Sequence, residues 1–161
     1  MRQWTVGGAL IGGPDGLLLV QNRRKNGSFD WSPPGGVIEH NETILDGLTR
    51  EVEEETGLRV TEWSGPAYVI EASAADLGWN LRVEAYVAVA YHGAINIDDP
   101  DGIVVDAQFV AHEIALGHTS TTQRWVHEPL SDWLGQRCEL GELYRYRVIG
   151  ADHHTAEVER W

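Results

Sequence analysis

One stretch of this 161-residue chain, residues 36–58, constrains the fold more than any other. Helical periodicity runs over residues 43–56, and Gly57 follows at a position where glycine commonly ends a helix. At about 100° of rotation per residue, one side of this helix is apolar. The residues of that side are Leu45, Leu48 and Val52. We therefore expect an amphipathic helix whose apolar stripe packs against a sheet.

The same helix carries an acidic flank next to the apolar stripe. The flank is spaced i, i+3, i+4, so its carboxylates converge, and it consists of Glu51, Glu54 and Glu55. Gly47 projects onto this flank one turn earlier, where we expect it to leave empty space, whereas Glu53 points to the opposite side. Like charges this close repel each other unless a cation lies between them. Oxygen ligands suit magnesium, manganese or calcium, and a solvated acidic face is the alternative.

Two further features favour the metal site. Residues 33–36, Pro-Pro-Gly-Gly, form a rigid turn followed by a flexible pair, which lets backbone approach a ligand or the helix. In addition, nine specified positions over 23 residues follow the spacing G-x5-E-x7-R-E-U-x-E-E-x-G-U, where U is aliphatic. These positions are Gly36, Glu42, Arg50, Glu51, Val52, Glu54, Glu55, Gly57 and Leu58. The chain thus resembles the Nudix hydrolase family, MutT-like, over about residues 4–116.

The resemblance implies a fold and a reaction. The implied fold is α+β, an α/β/α sandwich in which helices flank a mixed β-sheet, with residues 1–161 in a single domain. The implied enzyme hydrolyses the pyrophosphate bond of a nucleoside diphosphate linked to another moiety, with Mg²⁺ or Mn²⁺ as the cofactor. Its partner is then a small nucleotide.

Residue roles follow from the positions in the motif. The implied metal ligands are Glu51, Glu54 and Glu55, with Gly36 shaping the loop at the metal site. Arg50 is implied to orient a glutamate through a charge-assisted hydrogen bond, with Glu42 as its structural partner. Arg50, Glu51 and Glu54 are the candidate catalytic residues.

A carboxylate must also accept a proton from the attacking water. Glu51 is the first candidate, since it lies at the centre of the cluster. Some family members use an acid from a downstream loop, and Asp101 is our choice for that role. It is chosen from four acids of one turn and strand, Asp98, Asp99, Asp101 and Asp106. The alternative for these acids is an ordinary turn and strand edge.

The net charge of the chain, −13, limits its partners. A surface this acidic repels the backbone of DNA or RNA, so we expect no binding of polymeric nucleic acid. A small phosphorylated substrate is compatible, because a bound divalent ion inverts the local field. No apolar run suggests membrane insertion, residues 1–10 lack the pattern of a secretory signal, and the single Cys138 requires no oxidising compartment. We therefore expect a cytoplasmic protein; a homodimer is one option, as many family members dimerise.

The remaining sequence alternates predicted strands and loops. Strands are expected over residues 4–11, 16–21, 60–73, 81–91, 104–111, 143–149 and 156–161. The first two are expected to form a hairpin, and residues 22–36 a long loop. A helix is expected over residues 121–136, with Pro129 in the first turn of a second helical piece.

Basic and aromatic residues are the candidate substrate contacts. The densest basic cluster, expected to meet phosphate or base unless it is a solvated loop tip, is Arg23, Arg24 and Lys25. Trp31 and Trp79 are expected to stack on a base, with core packing as the alternative. His153 and His154 lack a third ligand in the sequence, so we expect no transition-metal site there.

Residues downstream of the motif bear on the substrate. The proline that ADP-ribose hydrolases of the family carry there is missing, since Ser73 and Ala74 occupy the region. The tyrosine of dinucleoside polyphosphate hydrolases and the proline-rich motif of NADH-cleaving members are missing too. The leading interpretation is hydrolysis of a nucleoside triphosphate, including a damaged one, to monophosphate and pyrophosphate. An ADP-ribose or nucleotide-sugar pyrophosphatase, and a non-catalytic Nudix-fold nucleotide-binding or regulatory module, are the alternatives.

Overall fold

A computed structural model of the protein describes residues 1–152 and 155–161, so the histidine pair at 153–154 lies outside the described residues. The α-helices in this part of the chain are α1 (Ile44–Thr56), α2 (His112–Thr119) and α3 (Arg124–Leu134), and a 3₁₀ turn covers Ala75–Leu77. The strands are β1 (Arg2–Leu10), β2 (Gly12–Gly13), β3 (Gly16–Arg23), β4 (Phe29–Ser32), β5 (Gly35–Val37), β6 (Arg59–Ala74), β7 (Trp79–His92), β8 (Val104–Val110), β9 (Glu142–Ile149) and β10 (Glu157–Arg160). None of the helices described is long and apolar enough to cross a membrane.

The strands form two sheets. The larger has the order β10-β9-β6-β7-β1-β5, with parallel pairs between β1 and β7 and between β6 and β9. In the smaller sheet, β3 pairs with β2, β4 and β8. The expected hairpin between residues 4–11 and 16–21 is therefore wrong for β1, since only the short β2 turns back onto β3. The end of β1 is buried on both faces, at Ala9 and Leu10, and this part of the strand therefore lies inside a sheet that is covered on both sides.

Successive side chains of β1 enter two different hydrophobic cores, as the alternation of a strand requires. Ala9 lies in the core that contains Leu48 and Val52 of α1. Leu10 lies in the other core, together with Leu130 of α3. The mixed sheet is thus flanked by helices, which confirms the α+β class. That the whole chain forms one domain stays a prediction.

Three local expectations are corrected. Leu45, expected in the buried stripe, is 37% exposed, because it lies in the first turn of α1, where the helix leaves the core. The expected loop at residues 22–36 contains β4 and β5, which are held by pairing with β3 and β1 rather than by local propensity. Pro129 lies inside α3, where it is buried, and does not begin a second helical piece.

Helix α2 is absent from the sequence-based expectations. Its apolar residues do not form one stripe: Ala115 is fully buried while its neighbour Ile114 is 50% exposed. The helix packs against α3 and β4, so tertiary contact rather than amphipathic pattern stabilises it.

Candidate active site

The acidic flank occupies the second half of α1, which has clear local signals at both ends. The Thr43 hydroxyl accepts a hydrogen bond from the Asp46 N–H at 3.1 Å, which caps the start of the helix. Gly57 ends the helix with a φ of 81°, a conformation that favours glycine. Glu53 points away from the flank and pairs with Arg59 at 3.0 Å, as the helical projection predicts.

Glu55 is the most buried member of the flank, with only 8% of the residue exposed. Its Oε2 accepts a hydrogen bond of 3.2 Å from the Gly35 N–H, which joins α1 to β5. Burial raises the pKa of the Glu55 carboxyl to about 8, and the charge of Glu51 acts in the same direction. A cation next to Glu55 would therefore favour the ionised carboxylate.

Glu51 lies directly against Gly36. A β-carbon at residue 36 would stand 2.6 Å from Glu51 Oε2, so a side chain larger than hydrogen would displace the carboxylate. Burial raises the pKa of the Glu51 carboxyl, although the adjacent Arg50 opposes the shift. The close approach expected of the Gly-Gly pair is thus made between Gly36 and Glu51.

Arg50 connects three glutamates. Its Nη2 and Nε donate to the two oxygens of Glu42 at 2.7 and 3.2 Å, and this pairing lowers the pKa of Glu42. Its Nη1 donates to Glu51 Oε1 at 3.0 Å and lies 3.5 Å from Glu54 Oε2. The expected partnership with Glu42 is present, and Arg50 is placed to orient Glu51.

Arg50→Lys is expected to lower kcat for nucleotide hydrolysis by about 10- to 100-fold, because one ammonium group cannot bridge Glu42 and Glu51 as the planar guanidinium does. Steady-state kinetics of purified protein measure the effect. Arg59→Lys is the matched control, since Arg59 pairs with exposed Glu53 on the other face of the helix. Equal activity of the Arg50→Lys and Arg59→Lys variants would show that Arg50 does not act in the reaction.

Contrary to the expectation from the sequence, Gly47 does not border empty space on the acidic flank. A β-carbon there would stand 2.7 Å from Glu42 Oε1 and 2.8 Å from Ile38 Cδ1. Gly47 therefore makes room for the Glu42 carboxylate and does not leave empty space beside the metal-ligand candidates.

The downstream acidic loop lies near the flank. The charge of Asp101 contributes to the raised pKa of Glu51, so the loop brings this carboxylate close to the site. Asp99 also acts on the flank, since its charge contributes to the raised pKa of Glu55. Its Oδ2 organises the loop by accepting hydrogen bonds from the N–H groups of Ile103 and Val104 at 3.0 and 2.9 Å. Asp106 is engaged within β8, where its carboxylate accepts from its neighbours. The role of Asp101 at the site stays a prediction.

The basic candidates differ in their surroundings. Arg24 forms a two-point ion pair with Asp30, with Nε–Oδ2 and Nη2–Oδ1 distances of 2.6 and 2.9 Å. Asn22 donates to the same Asp30 at 3.0 Å, which fixes the acid from a second side. Arg23 is exposed, and its backbone N–H donates to Ile103 O.

Trp31 has a packing partner that the sequence did not indicate. Its ring stacks on His118 of α2, with centroids 4.7 Å apart and planes inclined by 16°. One face of the indole is thus covered by His118, and stacking of a base on Trp31 stays a prediction.

A cavity of about 220 Å³ adjoins the acidic flank at Gly35. Its walls are mainly apolar residues of β1, β7 and α3, and its polar lining includes Arg24 and Ser32. Sequence reasoning missed these wall residues. The available signal was the alternation of apolar residues along β1 and β7, since every second residue of a strand shares a face.

The sequence matches the family profile described as the NUDIX domain over residues 1–134. The chain belongs to the NUDIX family. A MutT-like protein of Streptomyces ambofaciens is 54% identical over 46 residues, which cover 29% of this NUDIX chain and 29% of that protein. The human 8-oxo-dGDP phosphatase NUDT18 is 37% identical over 62 residues, covering 34% of this chain and 19% of that protein. The matched segments therefore span less than a third of either relative.

The NUDIX fold is also found in solved structures. The solution structure of the E. coli ORF135 protein superposes with a TM-score of 0.71 at 20% sequence identity, covering 85% of this chain and 92% of that one. Similarity at this level of identity establishes the fold.

Proposed function

We propose that this NUDIX protein hydrolyses a pyrophosphate bond in a nucleotide, using a divalent cation held by Glu51, Glu54 and Glu55. The observation that carries the proposal is the position of Gly35. Its N–H donates to Glu55, and the same residue lines the cavity beside the sheet. A nucleotide whose base occupies the cavity therefore directs its phosphates toward the acidic flank.

The donor set fits Mg²⁺ or Mn²⁺. The flank offers carboxylate oxygens, one of them on a buried group whose pKa is raised, and hard ions prefer such ligands. Within residues 1–152 and 155–161, no three acidic, histidine or cysteine side chains are already gathered around one point. Instead, Arg50 holds Glu51 and the Gly35 N–H holds Glu55. We infer that the glutamates gather when the cation binds.

Glu51, Arg50 and Arg24 would have different roles in the reaction. When bound, the cation neutralises charge on the phosphate oxygens and lowers the pKa of a coordinated water. Glu51 accepts the proton of the attacking water, and Arg50 positions the Glu51 carboxylate through the 3.0 Å hydrogen bond. Arg24 lines the cavity and can meet phosphate or base when it exchanges Asp30 for the substrate.

The substrate class that we propose is a nucleoside triphosphate, cut to monophosphate and pyrophosphate. An apolar cavity with a few polar groups at its edge suits a planar base. The MutT-like relative and the human 8-oxo-dGDP phosphatase support a substrate of the free-nucleotide type, damaged bases included.

A substrate panel tests the proposal. Purified protein is incubated with ordinary and oxidised nucleoside di- and triphosphates, ADP-ribose and nucleotide sugars, with Mg²⁺ and separately with Mn²⁺. We expect triphosphates to yield monophosphate and pyrophosphate. Turnover of ADP-ribose or sugar nucleotides alone would overturn the substrate class. Binding without turnover of any compound would indicate a non-catalytic module.

Filling the cavity tests the placement of the base. A β-carbon at Gly8 would meet no atom closer than 3.9 Å, so Gly8→Val is tolerated by the fold and occupies cavity space. We expect KM for the best nucleotide to rise about tenfold or more, since each tenfold corresponds to about 1.4 kcal/mol of lost binding. Mn²⁺ binding, followed by electron paramagnetic resonance, should not change. The control is Gly12→Val, where a β-carbon meets nothing within 4 Å. An unchanged KM in Gly8→Val would place the base elsewhere.

A further inference from the structure

A second cavity, of about 380 Å³, continues from the first along the same face of the larger sheet. Its walls are Trp4, Val6, Val37, Trp79, Leu81 and Trp125. Three of these residues, Val6, Leu81 and Trp125, also line the first cavity. The two cavities therefore form one trough. We call the second cavity, with its three tryptophans, the aromatic compartment.

Strand pairing fixes the direction of the trough. In the parallel pair β1–β7, Trp4 lies opposite Leu81, and Gly8 lies opposite Ala85. Gly8 also pairs with Gly35, the residue that contacts the acidic flank. The four residues from Gly8 to Trp4 span about 13 Å at the usual rise of a strand. The trough thus begins at Gly35, next to the acidic flank, and runs through the first cavity to the aromatic compartment.

The aromatic compartment lies near the starts of β1 and β7, beside the edge strand β5 and helix α3. Trp4, Trp79 and Trp125 are all only half-buried, and the rings of Trp79 and Trp125 meet edge to face at 6.1 Å. The six described residues that line the compartment carry no charge, and the guanidinium of the neighbouring Arg2 lies over the Trp4 ring, 4.8 Å from its centroid. Large apolar side chains gathered on one open surface mark a binding site. Indole walls favour a flat, apolar ligand.

We propose that the aromatic compartment binds a hydrophobic aromatic substituent on the nucleobase, so that nucleotides with an enlarged base are preferred substrates. The inference rests on the proposed function, which places the phosphates at Gly35 and the base in the first cavity. Because the compartment lies beyond the base and away from Gly35, its occupant extends from the base and not from the far side of the pyrophosphate. Continuity with the base cavity favours a substrate group over a separate partner.

Paired nucleotides test the proposal. ATP is compared with N6-benzyl-ATP and 8-benzylthio-ATP, which carry the aromatic group on different edges of the purine. Dissociation constants are measured by calorimetry in EDTA, and kcat/KM is measured with Mg²⁺. We expect at least one benzyl compound to bind about tenfold more tightly than ATP or better, as burial of an aromatic group predicts. Equal binding of all three compounds overturns the inference.

Two variants and a control locate the effect. Trp79→Ala removes a wall, and Val37→Lys places a charge in the compartment at a residue that is already 42% exposed, so the fold tolerates it. Both should reduce the preference for the benzyl compound to about twofold or less. Trp161→Ala, the control, removes a 59% exposed indole that lies outside the compartment and should keep the preference.

The outcomes separate the two proposals. A benzyl preference in binding without hydrolysis of any nucleotide would support the compartment and refute the hydrolase. Hydrolysis of all three compounds with equal kcat/KM and equal affinity would refute the compartment alone. If Val37→Lys instead changed the molar mass in light scattering and left the preference intact, the surface would be an interface between copies of the chain, contrary to the inference.

Discussion

Glu54→Gln is expected to lower kcat for pyrophosphate release by about a thousandfold, which corresponds to about 4 kcal/mol of lost transition-state stabilisation. The substitution removes one negative charge from the flank and keeps the size of the side chain. Glu54 is 31% exposed, and its contact with Arg50 is a long one of 3.5 Å, so the melting temperature should not change. Release of pyrophosphate from the best nucleotide of the panel, together with a thermal melt, measures both quantities.

Glu53→Gln is the matched control for this result. Glu53 precedes Glu54 in the chain and points to the opposite face of α1, where it pairs with Arg59. A surface ion pair of this kind contributes little to stability, and it lies away from the proposed cation. Full activity in Glu53→Gln is expected. Comparable activity of the two variants would show that the acidic flank does not hold the cation.

Gly36→Ala is expected to lower kcat by about 100-fold or more while the protein remains folded. The new β-carbon would stand 2.6 and 2.8 Å from the two oxygens of Glu51. The end of a flexible side chain yields more readily than backbone, so the Glu51 carboxylate moves and the fold is kept. Even a displacement of about 1 Å at a catalytic group is costly. Kinetics and circular dichroism of the purified variant separate activity from folding.

Gly12→Ala controls for the change of glycine to alanine. A β-carbon at residue 12 meets nothing within 4 Å, and β2 lies in the smaller sheet. This variant should retain wild-type kinetics. Full activity in Gly36→Ala would contradict the assignment of Glu51 to the chemistry.

The sequence predicts helix α1 and its acidic flank well, because the signals that determine them are local. The predicted helix at residues 43–56 is confirmed as Ile44–Thr56, with Thr43 as its cap and Gly57 as its end. The spacing that directs Glu53 away from the flank depends only on the helical repeat. The charge pair of Arg50 with Glu42 follows from the same motif.

Pairing between distant strands could not be predicted in the same way. Residues 22–36 were expected to be a loop because the segment as a whole is rich in glycine, proline, asparagine and charge. Strands β4 and β5 nevertheless form there through pairing with β3 and β1. The parallel pairing of β1 with β7 joins segments far apart in the chain. Such contacts form only in the assembled sheet, and the hydrophobic periodicity of either segment alone does not predict them.

The same reason explains which parts of the candidate site were missed. The hydrogen bond between the Gly35 N–H and Glu55 joins residues that are 20 positions apart, so no local sequence pattern predicts it. The stack of Trp31 on His118 likewise joins distant residues, because α2 supplies the histidine. The cavity beside Gly35 exists only when α3 lies over the face of β1 and β7. Sequence alone therefore predicted the acids and not the cavity in which we propose that the base binds.

The most direct test of cation-dependent pyrophosphate hydrolysis is product analysis before and after removal of divalent ions. The nucleotide panel, with ADP-ribose and nucleotide sugars included, is incubated with EDTA-treated protein, and Mg²⁺ is then restored. If the acidic flank holds the catalytic cation, we expect no turnover in EDTA and, after restoration of Mg²⁺, nucleoside monophosphate and pyrophosphate in equal amounts from triphosphates. Equal turnover in EDTA, or products that leave every pyrophosphate bond intact, would contradict it.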